Sequence, residues 1–432
     1  MDCDVVVVGG GPGGSTAAAW LARNGFTVRL FERDQFPRFH IGESLLASNN
    51  DVMKALGAED LIRRAGFPKK FGAMFMFADG SNERYADFTS APDVPMPQTW
   101  QVPRATYDDM LLRHAAASGA DVRERHHVHS VRFEDDGVTL MVQGPGDTAP
   151  QPVRARAIVD ASGREGLLSR KFSLRVDEPR LANIAVFSHY SNVPRPSGRG
   201  ARPGDIRLIS RTDLAWFWMI PISEELMSVG VVMPQTAFKA VSSLEPAALL
   251  ERLIADTPAV ARLLAAATRE WPVRVEKDYS FSSRAYAGDR WVLVGDAGSF
   301  LDPMFSTGVG IALESGLEGA QAVADGLRTG DLSARRFARF SRRQRQRYVA
   351  FRRFVLAFYT REFRELFFTE VPYPRMFRAV VTILAGYWNP SLRTRAWVAA
   401  FFLMVRLQRY LPIAPRLMSE RARPRVREAA AG

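Results

Sequence analysis

The N-terminal stretch MDCDVVVVGGGPGGSTAAAWLARNGFTVRLFERD constrains this chain more than any other. Val5–Val8 is an unbroken β-branched run, the pattern of a strand buried on both faces. Gly9, Gly11 and Gly14 follow at the spacing G-x-G-x-x-G, with Pro12 and Gly13 inside it. A helix from about Gly14 to Asn24 and a second strand over Thr27–Phe31 come next, and Glu32 ends that strand. Strand, glycine turn, helix, strand and acidic residue together predict a dinucleotide fold. The glycines let the backbone approach a pyrophosphate, the helix N-terminus offers it free N–H groups, and the carboxylate suits a ribose hydroxyl. The glycines alone do not choose between NAD and FAD.

A second stretch, WVLVGDAGSFLDPMFSTGVGIAL over Trp291–Leu313, favours FAD. Trp291–Val294 reads as a short buried strand that stops at Gly295-Asp296, a second Gly-Asp loop suited to a long ribityl arm. Pro303 is expected to keep the next segment from being helical until Ser306-Thr307-Gly308, after which Val309–Asp325 reads as a helix. The N–H groups at that helix start favour an anion or a polarised oxygen. A third small-residue strand end follows Ala157–Ala161, so Gly9, Ala161 and Gly295 in one sheet would bracket one elongated cofactor. Arg38 and the turn Gly42-Glu43-Ser44 fall on the nucleotide side of that sheet, and Arg104 stands near the start of a helix over Gln101–Ala117.

The rest of the chain predicts a second domain. Ile184–Tyr190, Ile206–Ser210, Leu214–Ile220 and Ser228–Met233 read as antiparallel strands, and Pro246–Ala266 as a helix. The expected division is a discontinuous cofactor domain (1–70, 100–182 and 283–330), an inserted antiparallel sheet domain (71–99 and 183–282) and a basic helical region (331–432). With 432 residues, 47% of them hydrophobic, the chain is long enough for that arrangement. Its single cysteine, Cys3, excludes an internal disulfide and Cys-based metal clusters and fits a reducing, cytoplasmic setting. His127 and His129 share one face of a strand without a third ligand, so no metal is expected. No signal peptide is read before the first strand, and no apolar run reaches the ~20 residues needed to span a bilayer. The net charge of +12 is uneven, with arginines crowded into Arg335–Arg353 and Arg406–Arg427. Nothing resembles a nucleic-acid reading module. Residues 420–432 read as disordered.

Six motifs together resemble the flavin-dependent halogenases related to class A FAD monooxygenases. They are GGGPGG at Gly9–Gly14, RFHIGES at Arg38–Ser44, KFGAMF at Lys70–Phe75, DASG at Asp160–Gly163, WFWMIP at Trp216–Pro221 and GDAGSFLDPMFSTGVG at Gly295–Gly310. The glycine and Gly-Asp motifs are shared with all class A flavoproteins. WFWMIP and FLDPMFSTG are far more specific.

The resemblance implies an α/β fold with a Rossmann-like FAD domain of the glutathione-reductase type. It also implies FADH2 supplied by a separate flavin reductase, chloride or bromide, and hypohalous acid made from O2. FAD would rest on Gly9, Gly11, Pro12, Gly13, Gly14, Glu32, Arg38, Ser44, Arg104, Gly295, Asp296, Pro303 and Gly308. The halide would lie at the N–H groups of Thr307 and Gly308. Lys70, Trp216, Trp218 and Ser306 would be catalytic, with Lys70 receiving the hypohalous acid and Trp216 screening an organic substrate from the flavin.

Two departures refine this expectation. Phe305 stands where tryptophan halogenases carry a glutamate, which points to an electron-rich phenol or pyrrole, free or tethered to an acidic acyl-carrier protein. Ser162 replaces the aspartate of the Asp-Gly pair of NAD(P)H-using hydroxylases, which favours a partner reductase. The competing readings are a single-component FAD hydroxylase and a prenyl-lipid reductase whose basic, apolar tail meets a membrane surface.

Overall fold

The computed structural model describes residues 1–241, 243–369 and 373–416. Its strands gather mainly into two large sheets. In the first, Cys3–Val8 lies between Val28–Phe31 and Gln151–Asp160, with Val5 level with both Val28 and Ala157. Asp121–Arg123 and Trp291–Leu293 extend this parallel set on either side. The chain returns from Cys3–Val8 to Val28–Phe31 through the helix Pro12–Arg23, the crossover that parallel neighbours require. Helices cover the face of Val5 and Val7, and the strands His127–Phe133 and Val138–Gln143 cover that of Val6, so all three are fully buried and the strand needs no polar alternation. A hairpin, His127–Phe133 with Val138–Gln143, adds two antiparallel strands.

The second sheet runs from Thr268–Arg269 through Arg175–Ser191, Met227–Pro234, Trp216–Pro221, Ile206–Ser210 and Gly72–Phe77 to Arg84–Asp87. It is antiparallel at every pair but one. Ile206–Ser210 and Gly72–Phe77 run parallel, because they come from distant parts of the chain and no hairpin joins them. The pair Lys69–Lys70 and Thr99–Trp100 forms a separate two-stranded ribbon.

Several sequence expectations need correction, beginning with the helix expected over Gln101–Ala117, which starts only at Arg104, after Pro103. The helix expected over Pro246–Ala266 is two, Pro246–Ala255 and Pro258–Leu263, because Pro258 cannot continue a helix but opens one well. The strand expected from Leu214 begins at Trp216, since Leu214 is left-handed at φ 68°. Pro303 does not hold off helical structure: it opens the 3-10 turn Pro303–Phe305, whose first free N–H, that of Met304, is capped by the Asp302 carboxylate at 3.0 Å. Ser306, at φ 56°, then passes the chain directly into the helix Thr307–Thr329, two residues earlier than expected.

That helix crosses Pro12–Arg23 at glycine. A Cβ on Gly316 would collide with the Gly13 carbonyl oxygen, and a Cβ on Gly14 with that of Gly9. Close backbone approach here sets the distance between the two cofactor-side loops.

Four helices, Ala338–Phe358, Arg361–Phe368, Pro374–Leu384 and Leu392–Gln408, complete the described chain. Part of the arginine-rich segment read as a basic surface is interior. Arg347 is 1% exposed and paired with Glu314 and Glu318 at 2.9 Å each, and Arg343 meets Glu318 at 2.7 Å. These arginines fall on the face of Ala338–Phe358 that meets Thr307–Thr329. Arg335, Arg336, Arg339 and Arg342 stay exposed. The tail read as disordered, 420–432, lies outside the described residues.

The glycine crossing makes a direct test. Gly316→Ala should destabilise the protein by about 1–3 kcal/mol through overpacking against backbone and should lower the flavin retained on purification. Urea midpoints and flavin-to-protein absorbance ratios measure both. An unchanged midpoint would mean that the two helices do not touch.

Candidate active site

The C-terminal ends of the parallel strands place Val8, Phe31, Ala161 and Val294 around one cavity of about 710 Å³, which extends to Ala185, Leu208, Trp216, Trp218 and Ile220 on the second sheet. A ligand crevice beyond the carboxyl ends of such strands is the expected place in an open α/β sheet. The volume falls within the range of small-molecule and cofactor sites.

Most of the residues singled out in the sequence meet here. Gly9, Gly11, Pro12, Gly13, Glu32, Arg38, Ser44, Arg104, Trp216, Trp218, Gly295, Asp296, Pro303, Ser306 and Gly308 all line the cavity. Gly14, Lys70 and Thr307 do not. Gly14 packs on Gly9 and shapes the turn from behind. Thr307 is buried beside the cavity with its Oγ1 unpartnered, next to N–H groups that begin a helix and so lack intrahelical acceptors.

The residues present fit an FAD. The backbone is open where a cofactor must come close: a Cβ on Gly308 would meet nothing within 4 Å, and on Gly11 only Arg38, at 3.7 Å. Glu32 accepts from Gly10 N at 2.6 Å and Asp34 N at 2.8 Å, so its carboxylate braces the glycine turn while it faces the cavity. Arg104 binds Asp108 through two nitrogens, at 2.7 and 2.9 Å, and donates to Ile41 O at 2.6 Å. This ties the Arg38–Ser44 segment down, and Arg38 shares the same Asp108 at 3.4 Å. Burial raises the Asp296 carboxyl to about 6, against the pull of Arg164 and Arg104.

Lys70 sits behind the cavity wall and is 1% exposed, whereas Lys69 is exposed. Its Nζ donates to Ser44 Oγ at 2.8 Å and Leu45 O at 2.9 Å, and it lies 5.4 Å from the Phe88 ring centre. Ser44 therefore touches both the cavity and the lysine. Burial lowers the amine to about 7, opposed by Asp205. Asp205 also fixes the lysine's turn, accepting from Phe71 N at 2.7 Å, Gly72 N at 2.9 Å and Tyr85 OH at 2.8 Å.

Several contributors were not singled out beforehand. Asp108, four residues after Arg104 in the same helix, was legible as an i,i+4 partner. Glu43 was quoted only as part of a motif. Its partner His189, at 2.8 Å and equally buried, comes from the second sheet and leaves no local signal. Tyr359, from the C-terminal helical region, accepts from Trp216 Nε1 at 2.9 Å and donates to Asp302 Oδ2 at 2.9 Å. The Trp216 strand and the loop before Ser306 are thus pinned to one hydroxyl. Phe305 meets Phe358 edge to face at 5.6 Å, so the position that carries a glutamate in tryptophan halogenases is closed by hydrocarbon here.

Residues 2–347 match the family of FAD binding domains. The chain is 34% identical over 346 residues to a flavin-dependent halogenase of Armillaria mellea, covering 76% of this chain and 68% of that protein. A 1H-pyrrole-2-carbonyl peptidyl-carrier protein chlorinase of Pseudomonas fluorescens is 32% identical over 405 residues, with 89% of each covered. Among solved structures, the myxobacterial chondrochloren halogenase superposes with a TM-score of 0.76 at 34% identity, over 93% of this chain and 96% of that one. The brominase Bmp2 reaches a TM-score of 0.83 at 28% identity, covering 94% of this chain and 100% of that one. With the cavity built as it is, these likenesses establish that the chain belongs to the flavin-dependent halogenases, which use FAD and a halide.

Proposed function

We propose that this protein halogenates an electron-rich phenol or pyrrole ring carried as a thioester on an acidic carrier protein, with electrons from a separate flavin reductase. Bound as FADH2 along the cavity, the flavin supplies, with O2, the oxidising power that turns halide into hypohalous acid. Thr307 and Gly308 hold the halide through their backbone N–H groups, and the unpartnered Thr307 hydroxyl adds a third donor. Trp216 and Trp218 wall the cavity so that an organic ring stays away from the flavin.

The observation that carries the reading is the burial of Lys70 immediately behind Ser44, with an amine near neutrality at about 7. A neutral amine attacks the halogen of hypohalous acid: the N–X bond forms, the O–X bond breaks, and hydroxide leaves with the amine proton as water. The halogen then passes to a ring carbon, which gives up its proton. When charged, the same group donates a hydrogen bond to the oxygen of the acid. Phe305 stands in place of a carboxylate that would assist a weakly activated ring, which supports a phenol or pyrrole. The pyrrole chlorinase resembling this chain acts on a carrier-bound ring. The exposed arginines Arg335, Arg336, Arg339 and Arg342 offer an acidic carrier a docking face.

Lys70→Ala should remove halogenation while oxidation of FADH2 by O2 continues nearly unchanged, and Lys69→Ala should be mild. Product analysis and oxygen consumption in the presence of a reductase measure this. Without a reductase, rapid NADH consumption stimulated by an aromatic substrate would instead favour a hydroxylase.

The lysine also predicts a pH dependence of stability. Its folded value lies below the ordinary 10.5, so the charged form is disfavoured in the native state. That penalty is full below about pH 7, where both states hold the proton, and fades as the unfolded chain deprotonates toward 10.5. Lys70→Met should therefore stabilise the protein most near pH 6, with the gain shrinking from pH 7 upward. Urea midpoints across that range decide it, and a gain that grows with pH would contradict the assignment.

A carrier-bound aryl thioester should turn over at least ~10-fold faster than the free acid at low salt, with the advantage reduced near ~1 M salt, where the Debye length shrinks to ~3 Å. Equal, salt-independent rates would remove the carrier from the proposal.

A further inference from the structure

The last described helix, Leu392–Gln408, is apolar on both sides. Inward, Val398 and Phe401 pack into the molecule, Phe401 meeting Phe363 edge to face at 5.3 Å, and Gln408 donates to Glu365 at 2.8 Å. Outward, Leu392, Ala396, Ala399, Leu403, Leu407 and Tyr410 recur at the helical spacing and form one exposed ridge. Leu392 is 76% exposed, Leu403 56% and Tyr410 72%, with Leu411 beside them. A soluble helix ordinarily turns charge toward water at these positions, and this one does not.

Charge flanks the ridge instead. Arg393, Arg395, Arg406 and Arg409 are exposed and have no ion-pair partner among the described residues. From Val371 to Ser419 the sequence contains seven arginines and no Asp or Glu. Whatever covers the ridge must accept both hydrocarbon and cations. A second copy would set arginines against arginines. The chain's own C-terminus, with Arg421, Arg423, Arg425 and Arg427, carries the same sign. The centre of the ridge is alanine, Ala396 and Ala399, without the aromatic or arginine anchors that carry most protein–protein contacts.

We propose that this face binds the surface of an anionic phospholipid membrane. The helix would lie in the plane, with its leucines and Tyr410 among the acyl chains and the arginines snorkelling to the phosphates. Its 17 residues extend about 25 Å, and no described helix is long and apolar enough to cross a bilayer. The contact is therefore peripheral. The helix is joined to the substrate side: Ser391 and Thr394 at its start both donate to Asp93, in the segment that follows Phe88 above Lys70. One short segment thus touches the start of this helix through Asp93 and faces the lysine through the Phe88 ring.

The test is co-sedimentation of the whole protein with vesicles of mixed phosphatidylglycerol and phosphatidylcholine, against vesicles of phosphatidylcholine alone. Binding should be at least ~10-fold stronger to the anionic vesicles and should weaken near ~1 M salt. The double variant Leu403→Glu, Leu407→Glu, at exposed positions, should lose ~10-fold or more of that binding, with its thermal unfolding and bound flavin unchanged. Arg406→Gln with Arg409→Gln should weaken anionic binding while leaving the residual apolar contact. Three results overturn the proposal. They are no sedimentation with anionic vesicles, equal sedimentation of the leucine variant, and a ridge that instead supports self-association or carrier-protein binding abolished by that variant.

Discussion

The contact on which the rest depends is the near-touching of two backbones at Gly13 and Gly316. The helices Pro12–Arg23 and Thr307–Thr329 are separated in sequence by most of the chain, and any side chain at this crossing would hold them apart. Because they meet without Cβ atoms, the phosphate-side turn at Gly9–Gly13 and the loop Gly295–Gly308 face one cavity. Each loop leads into a helix whose first N–H groups lack intrahelical acceptors, so both ends of the cavity favour anions for the same physical reason. The strand order supplies the remainder, since parallel strands ending at Val8, Ala161 and Val294 deliver their loops to one edge.

The C-terminal helices help to fix the walls of the cavity. Arg347 is enclosed by Glu314, Glu318 and Gln344 and lies over the Trp388 ring at 5.4 Å. Removing one member of such a buried cluster leaves uncompensated charge, so the cluster fixes how Ala338–Phe358 sits on Thr307–Thr329. The same helix presents Phe358 to Phe305, and Tyr359, just beyond it, reaches Trp216 and Asp302. The Trp216 strand, the loop ahead of Ser306 and the helical region are thereby fixed relative to one another by one ring contact and one hydroxyl. Phe75 and Phe367, 4.8 Å apart, continue this packing toward the strand that follows Lys70. A phenylalanine at 305 is thus a structural commitment: its ring is one face of this aromatic packing.

What the sequence determined by itself was every feature enforced by local backbone geometry. Only glycine tolerates the turn at Gly9, with φ 101°, and the approach at Gly14, so the cofactor fold and its edge of the sheet were legible from residue types at fixed spacing. The same holds for the Gly295-Asp296 loop and for Arg104, whose partner Asp108 is one helical turn away. Errors at this level were also local: Pro258 divides a helix, Leu214 delays a strand, and Pro303 opens a turn.

Tertiary structure decided everything that depends on burial or on a partner far along the chain. Lys69 and Lys70 are the same residue type in adjacent positions, and only their place in a two-residue strand makes one a solvated cation and the other a buried amine near neutrality. Arg342 and Arg347 belong to one arginine run, yet one meets water and the other three side chains of the interior. The pairs Glu43–His189 and Trp216–Tyr359 join segments more than a hundred residues apart, so their polar groups carry no sequence signal until folding buries them together and makes pairing the alternative to an unmet hydrogen bond. Desolvation and pairing are properties of a three-dimensional neighbourhood, whereas a glycine turn is a property of its own few residues.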